Sequence, residues 1–289
     1  VETKASLIES AAGLDGKAFG VVGFKYDFDK KWETEKATAT PNVFADTPET
    51  VDVSADGTTA EYAPLQGWSN NKKYAFFAFY PHDLELVNLD GDTPYSEGDP
   101  AVRYVMDPAD FKASMVDVMT ASPMTDLYWK SASDYNIPDS DNSAGGEVNF
   151  AFSHRLSCLG LKVTNASAGD ITLTSVTFNL SGIKYHQALI PLDGAAMSKT
   201  AAASETASLS VEKSSEEVWT IPVEAEPIEL HDKLIFIPQD ELASINVKVE
   251  YKREAVDGYE GYSSEFTTNE LRSEFLEGKK HIVGIKFTD

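Results

Sequence analysis

Apolar residues in this chain recur at every second position, in short runs closed off by Gly, Pro, Asn or Asp, and that spacing is the strongest limit on what it can fold into. Val22, Phe24, Tyr26 and Phe28 alternate with smaller or polar residues, as do Ala207, Leu209 and Val211. The pattern returns in Ile245, Val247, Val249 and Tyr251, and in His281, Val283, Ile285 and Phe287. A period of two places such residues on one face of an extended strand, and each run is too short for a helix of useful length. "YAFFAFYP" (74–81) and "LIFIP" (234–238) are apolar on both parities and read as central strands covered on both faces. Strands at regular spacing with turn residues between them predict an all-β fold built from sandwiches.

Two short helices decorate this pattern. In "DPADFKASMVDV", Asp107 is placed to cap a helix that starts at Pro108 and puts Phe111, Met115 and Val118 on one face. In "TTNELRSEFLEG", Thr267 and Glu270 form a capping box, Leu271 and Phe275 lie four apart, and Gly278 ends the helix.

A chain of 289 residues exceeds what one sandwich needs, so two domains are expected. The boundary falls in the polar stretch "SASDYNIPDSDNSAGGE" (131–147), which divides the chain into 1–145 and 146–289. A second polar tract, 198–208, reads as an exposed loop between strands, and no internal repeat of fixed period occurs. The formal charge is −23, from 47 acidic against 24 basic side chains. Such a field repels phosphate backbones and anionic lipid, which excludes general electrostatic binding to nucleic acid or membrane surfaces. A single cysteine excludes an internal disulfide framework, and no CxxC or Cys/His cluster offers a zinc site. No stretch of 18 or more apolar residues occurs. The first residue is Val1, and the chain is read as a mature or trimmed form whose targeting segment is missing.

The stretch "FSHRLSCLGLKV" (152–163) puts Ser153 beside His154 and holds the lone Cys158. On a strand running from 148 to 163, Phe152, His154, Leu156 and Cys158 share one face while Ser153 points to the other, so Ser153 and His154 cannot form a dyad. His154 and Cys158 share a face, but four residues at about 3.3 Å each separate their backbones by roughly 13 Å. Nucleophile activation requires hydrogen-bond contact, so the stretch reads as structural, with His154 hydrogen-bonded at the edge of a core. Beyond Cys158 the apolar parity switches to Leu159, Leu161 and Val163, which predicts a β-bulge near Cys158 and Gly160.

Other chemistry finds little support. The acidic loops at 88–99 and 134–147 lack the glycine and glutamate positions of a calcium-binding EF-hand. No HExxH, GxSxG or P-loop pattern is present, so no metal, cofactor or catalytic residue is assigned. Carboxylate pairs are uninformative where acids are this abundant. Of the four tryptophans, Trp129 next to Tyr128 is the best placed to be exposed and to stack on a sugar, whereas core packing accounts for the others.

The same 152–163 stretch resembles the F-x-H-x-L-x-x-L-x-F-x-V signature of the fimbrillin-like proteins, the type V pilins of Gram-negative anaerobes. Phe152, His154, Leu156, Leu159 and Val163 match it, with Leu161 where an aromatic is usual. "WSNNKKYAFFAFYP" resembles the family's tryptophan followed by a Y-x-F-x-A-Y-Y-P strand, carried by Trp68, Tyr74, Phe76, Phe77, Tyr80 and Pro81. "DVMTAS" (117–122), "LIFIPQD" (234–240) and "FLEGKKHIVGIKF" (275–287) are similar to later family elements in the same order. Two departures stand out: "TKA" replaces a T-R-A stretch near the N-terminus, and His281 stands where an aromatic is common.

The resemblance implies two transthyretin-like β-sandwich domains, export as a lipoprotein, and display at the outer membrane in a fimbria that serves cell adhesion. It further implies that proteolysis removes a first strand, here within residues 1 to about 10 with Lys4 as the processing position, and that a strand donated by another fimbrial subunit fills the groove left behind. "HIVGIKFTD" is the candidate donor; the alternative is that both segments are ordinary strands. A donated alternating strand satisfies unpaired backbone groups and a hydrophobic trough together. The expectation is a non-enzymatic fimbrial subunit or accessory protein, against two rivals: a glycan-binding surface lipoprotein and a β-sandwich hydrolase.

Overall fold

A computed structural model describes residues 8, 10–57, 59–91, 94–107, 110–129, 148–201, 207–213, 219–223, 226–229, 234–240, 242, 244–253, 262–268 and 274–288. Its strands, in chain order, begin with β1 (Ala18–Asp27), β2 (Glu49–Val53), β3 (Ala60–Glu61), β4 (Lys72–Tyr80) and β5 (Glu85–Asn88). Next come β6 (Pro100–Val105), β7 (Met119–Ala121), β8 (Met124–Leu127), β9 (Phe152–His154) and β10 (Ser157–Ala166). The following five are β11 (Ile171–Ile183), β12 (Tyr185–Pro191), β13 (Ser198–Ala201), β14 (Ala207–Lys213) and β15 (Trp219–Ile221). The last are β16 (Ile228–Glu229), β17 (Leu234–Phe236), β18 (Ser244–Arg253), β19 (Tyr262–Thr268) and β20 (Lys280–Thr288). The fold is all-β, as the alternating runs require. Helix is confined, among the described residues, to the single turns α1 (Trp32–Glu35) and α2 (Phe111–Ser114) and two 3₁₀ segments.

Four sheets form. The first has the order β3-β2-β1-β4-β7-β9, with β8 also paired to β4. In the second, β10 pairs β16 and β17 antiparallel and β20 parallel, while the third runs β14-β11-β18-β19 with β15 beside β11. The fourth is β13-β12-β6-β5. One continuous cluster of buried apolar side chains draws on all four, from Phe24 and Phe77 through Val102 and Ile190 to Leu161, Phe178 and Val247. Strand pairing crosses the sequence division at 145/146: β9 joins the first sheet beside β7, and β12 pairs β6 from Ala101 to Val105.

Four local expectations change. The kink in 148–163 comes earlier than Cys158: the strand breaks at Arg155 and Leu156, and the β10–β20 register then runs unbroken from Cys158 to Ala166. The reason is that β9 and β10 belong to different sheets, so the chain must turn between them. Pro108, the expected helix start, lies outside the described residues; the described helix there is the single turn α2, at whose end the Ser114 hydroxyl accepts the Asp107 N–H and donates to the Phe111 carbonyl, and Val118 is buried beyond that turn. Thr267 caps no helix; it pairs with Asn246 in β18, and residues 274–276 are irregular, while 269–273 lie outside the described residues. Gly278 has φ +63°, and a Cβ there would stand 2.7 Å from the His154 carbonyl oxygen. It is needed for a close approach rather than a helix stop. The tract 198–208 is not one loop either, since β13 pairs β12 and β14 pairs β11 at its two ends.

Arg155 ties these layers together. It is 4% exposed, and its guanidinium donates to Thr120 Oγ1 (2.9 Å) on β7, to the carbonyls of Pro191 (3.0 Å) and Ala195 (2.6 Å) beyond β12, and to Glu277 just before β20. Gln239, fully buried, performs a similar service nearby: its Oε1 accepts the N–H groups of Lys184 and Tyr185 between β11 and β12, and its Nε2 donates to the carbonyls of Tyr185 and Ile237. Removing one partner of a buried ionic network leaves the rest unsatisfied. Arg155→Leu is therefore expected to cost about 3–5 kcal/mol in denaturant unfolding, whereas truncating the more exposed Glu85 partner of Arg103 is expected to cost about 1 kcal/mol or less.

Candidate functional site

Strands β1 and β4 are apolar on both parities, so the first sheet has two oily faces. Val22, Phe24, Ala75, Phe77 and Phe79 point into the large core. Phe19, Val21, Tyr74, Phe76 and Ala78 point the other way, joined by Val51 of β2. A sheet face of that composition has to be covered. The cover is made of loops: Val43 and Phe44, Tyr62, Trp68, Val148 and Phe150. Beneath them runs a groove of about 1020 Å³.

The groove has an aromatic end. Trp68 packs edge-on to Tyr74 at 4.7 Å, Tyr74 stacks parallel to Phe76 at 6.0 Å, and Phe44 meets Tyr62 edge-on at 5.4 Å. Phe19 is flanked by Phe150 and Phe152 at 6.0 and 5.3 Å. The loop bearing Val43 and Phe44 is seated by Asn42, whose side chain accepts the Lys25 N–H and donates to the Lys25 carbonyl as a neighbouring strand would. It can seat there because position 23 is glycine: a Cβ would stand 2.7 Å from Phe44 and 2.8 Å from Val43.

The other end is polar. Asp117, 3% exposed, accepts the backbone N–H of Ile8 on Oδ2 at 2.7 Å and lies 2.9 Å from His154 Nδ1 through Oδ1. The Ile8 side chain is buried in the groove, and Gly13 makes room for it, since a Cβ there would be 2.8 Å from Ile8 Cγ2. The Tyr80 hydroxyl is pushed above the ordinary tyrosine range by burial first, with the negative charges of Asp117 and Asp83 adding to it. Of the two nucleophile types that the sequence places near His154, Ser153 is exposed on the opposite face and Cys158 is buried in the second sheet. What the carboxylate binds is a backbone amide.

The motif residues divide between the two faces. Phe152 and His154 line the groove, and Trp68 and Tyr80 pack on its cluster, with Pro81 directly after β4. Leu156, Leu159 and Val163 lie in the large core instead. Lys4 lies outside the described residues. Trp129 is 38% exposed, but Tyr128 is buried edge-on against Phe28, so the two rings do not form one stacking platform. Among the described residues no three His, Cys, Asp or Glu side chains converge on a metal position, and no helix is long and apolar enough to cross a membrane. Sequence reasoning missed Asp117, Phe19, Val21 and Phe44. The signal was available in "AFGVVGF" (18–24), apolar on both parities like the β4 run.

A family model described as fimbrillin-like matches residues 15–289. No curated protein matches the chain significantly. Among solved structures, the chain is similar to a protein of Bacteroides ovatus named for cell adhesion, at 14% identity over 95% of this chain and 83% of that one, with a TM-score of 0.49. It is also similar to a second protein so named, from Bacteroides uniformis, at 12% identity over 95% and 87%, with a TM-score of 0.44. The fimbrial anchor protein Mfa2 from Porphyromonas gingivalis is similar at 11% identity over 96% and 83%, with a TM-score of 0.30.

The two faces of β4 make opposite predictions. Phe76→Ala and Phe77→Ala should each cost about 3–5 kcal/mol. Only Phe76→Ala, which widens an open groove, should raise the fluorescence of a hydrophobic dye in the folded protein.

Proposed function

Because the chain belongs to the fimbrillin-like family, we propose that it is a non-enzymatic, surface-displayed fimbrial or adhesion subunit whose groove is a strand-binding site. The observation that carries this reading is the groove itself: an apolar sheet face, roofed by loops, in which Ile8 of the same chain is already seated. A groove of this kind suits an extended segment with alternating apolar side chains, and its filling by a strand of another subunit is the natural route to a fibre. In this reading the chain is a type V pilin relative with transthyretin-like domains, divided near 145/146, with β9 and the β12–β13 pair reaching back across the division. It is exported as a lipoprotein to the outer membrane, and cleavage at Lys4 shortens the N-terminal segment so that a donor strand can displace what remains of it, Ile8 included, from the groove.

The donor in this reading is the C-terminal strand of a second copy. In the monomer β20 lies parallel to β10 from Lys280 to Thr288 and buries Val283, Ile285 and Phe287. Leaving that place exposes three side chains worth about 1.5–3 kcal/mol each. Exchange therefore requires that the neighbour's groove bury the same three at the same spacing of two, which a sheet face does. The glycan-binding alternative has one observation in its favour, the exposed ring of Trp129. A single ring without a buried polar partner set is a weak sugar site.

Limited trypsin digestion of the 289-residue chain, with N-terminal mass analysis and light scattering, tests the proposal. Cleavage at Lys4 followed by growth of multimers is the expected result. A chain cut at Lys4 that stays monomeric at high concentration would overturn the strand-exchange reading.

A further inference from the structure

We propose that Asp117 is the anchoring residue of the groove: its carboxylate takes the backbone N–H of Ile8 and so holds this chain's own segment in place there, with His154 as the positioning residue that holds the carboxylate. The inference rests on the reading of the groove as a strand-binding site and adds how that site grips its occupant.

Asp117 is among the few charged side chains buried in the described structure, and neither of its oxygens meets a lysine or arginine in the contacts found. One oxygen faces the Ile8 amide at 2.7 Å and the other the His154 ring at 2.9 Å. A hydrogen bond to an ionised acceptor is about twice as strong as a neutral one, and stronger still where water is excluded. The surrounding backbone is stiff enough to aim it. Met119 pairs with His154 across the β7–β9 ladder, and the Arg155 N–H donates to the Val118 carbonyl at 2.8 Å, so Asp117, two residues before β7, is held beside His154 at the end of β9. Gly278 packs against the His154 carbonyl from a third direction.

The bond reads no side chain. It reads whether an N–H is present at one position of the occupant, and a strand that slips by one residue turns its apolar side chains away from the sheet. With Asp117 engaged, Ile8 points into the groove and its side chain is buried. The chemistry it selects is therefore an extended peptide with a non-proline residue at the anchor position and an aliphatic side chain on that same residue. Asp117 holds the chain's own N-terminal segment.

Amide hydrogen exchange on the intact 289-residue monomer tests the anchor without requiring any assembly. Asp117→Ala should speed exchange at the Ile8 amide by about ten- to a hundredfold, leaving amides of β4 such as Phe77 unchanged. Asp117→Asn keeps an oxygen acceptor and should restore most of the protection, and His154→Ala should give an intermediate effect. Unchanged exchange at Ile8 in Asp117→Ala, or an equal rise at Phe77, would overturn the proposal. If Asp117→Ala does not fold, Ile8→Pro against Ile8→Val gives the second reading: the proline variant lacks the donor, and its tryptic cleavage at Lys4 should be about tenfold faster. Equal rates would overturn the anchor. A chain that passes these tests yet never multimerises after cleavage keeps the anchor and loses strand exchange.

Discussion

The junction at Arg155 is the interaction on which the rest of the architecture depends. Here the chain leaves the first sheet and enters the second, and one guanidinium reaches Thr120, the carbonyls of Pro191 and Ala195, and Glu277. Those groups lie on or next to three strands of three sheets: Thr120 in β7 of the first, Pro191 at the end of β12 of the fourth with Ala195 just beyond it, and Glu277 shortly before β20 of the second. A planar donor with five N–H groups can satisfy several acceptors at a place where sheets meet and no ladder runs. The charge is buried, so the network must be complete to be favourable, and that demand fixes how β9, β10 and β20 converge. His154, next in the chain, inherits its position from the same junction and is thereby aimed at Asp117.

Placement of the groove follows from a conflict in the first sheet. Strands β1 and β4 pair along their lengths from Gly20–Phe79 to Asp27–Lys72. Their inner residues complete the large core, leaving Phe19, Val21, Tyr74 and Phe76 on a face that, among the described residues, no other sheet covers. Loops and Ile8 cover it instead. Loop cover is weaker than sheet cover, since it brings fewer backbone hydrogen bonds and less contiguous apolar area. On the proposed strand-exchange reading, an apolar sheet face under such weak cover is what a donated strand would need.

Much of the frame was legible in the residues. The runs at 22–28, 74–81, 207–211, 245–251 and 281–287 coincide with β1, β4, β14, β18 and β20, and the ordered motifs pointed to the family that the chain proves to belong to. The groove was only half legible. Phe152, His154, Trp68 and Tyr80 stood out by motif, while Asp117 appeared as one letter of "DVMTAS", and nothing in its neighbours marked it as buried. The 148–163 stretch was read as one bulged strand because local parity cannot distinguish a bulge from a passage between two sheets. The helix start expected at Thr267 fails for a related reason: a capping residue is present, but Thr267 has a partner in Asn246 of β18.

By itself the sequence determined that the chain is built of strands, which residues share a face, and which strands are covered twice, because side-chain direction in a strand depends only on position along the chain. Tertiary structure alone decided which sheet each strand joins, that β20 lies parallel to β10, that β12 crosses over to β6, and that a carboxylate at 117 meets an amide at position 8. Those are contacts between residues far apart in the chain, chosen by hydrogen-bond satisfaction and packing in three dimensions, and no local pattern encodes them.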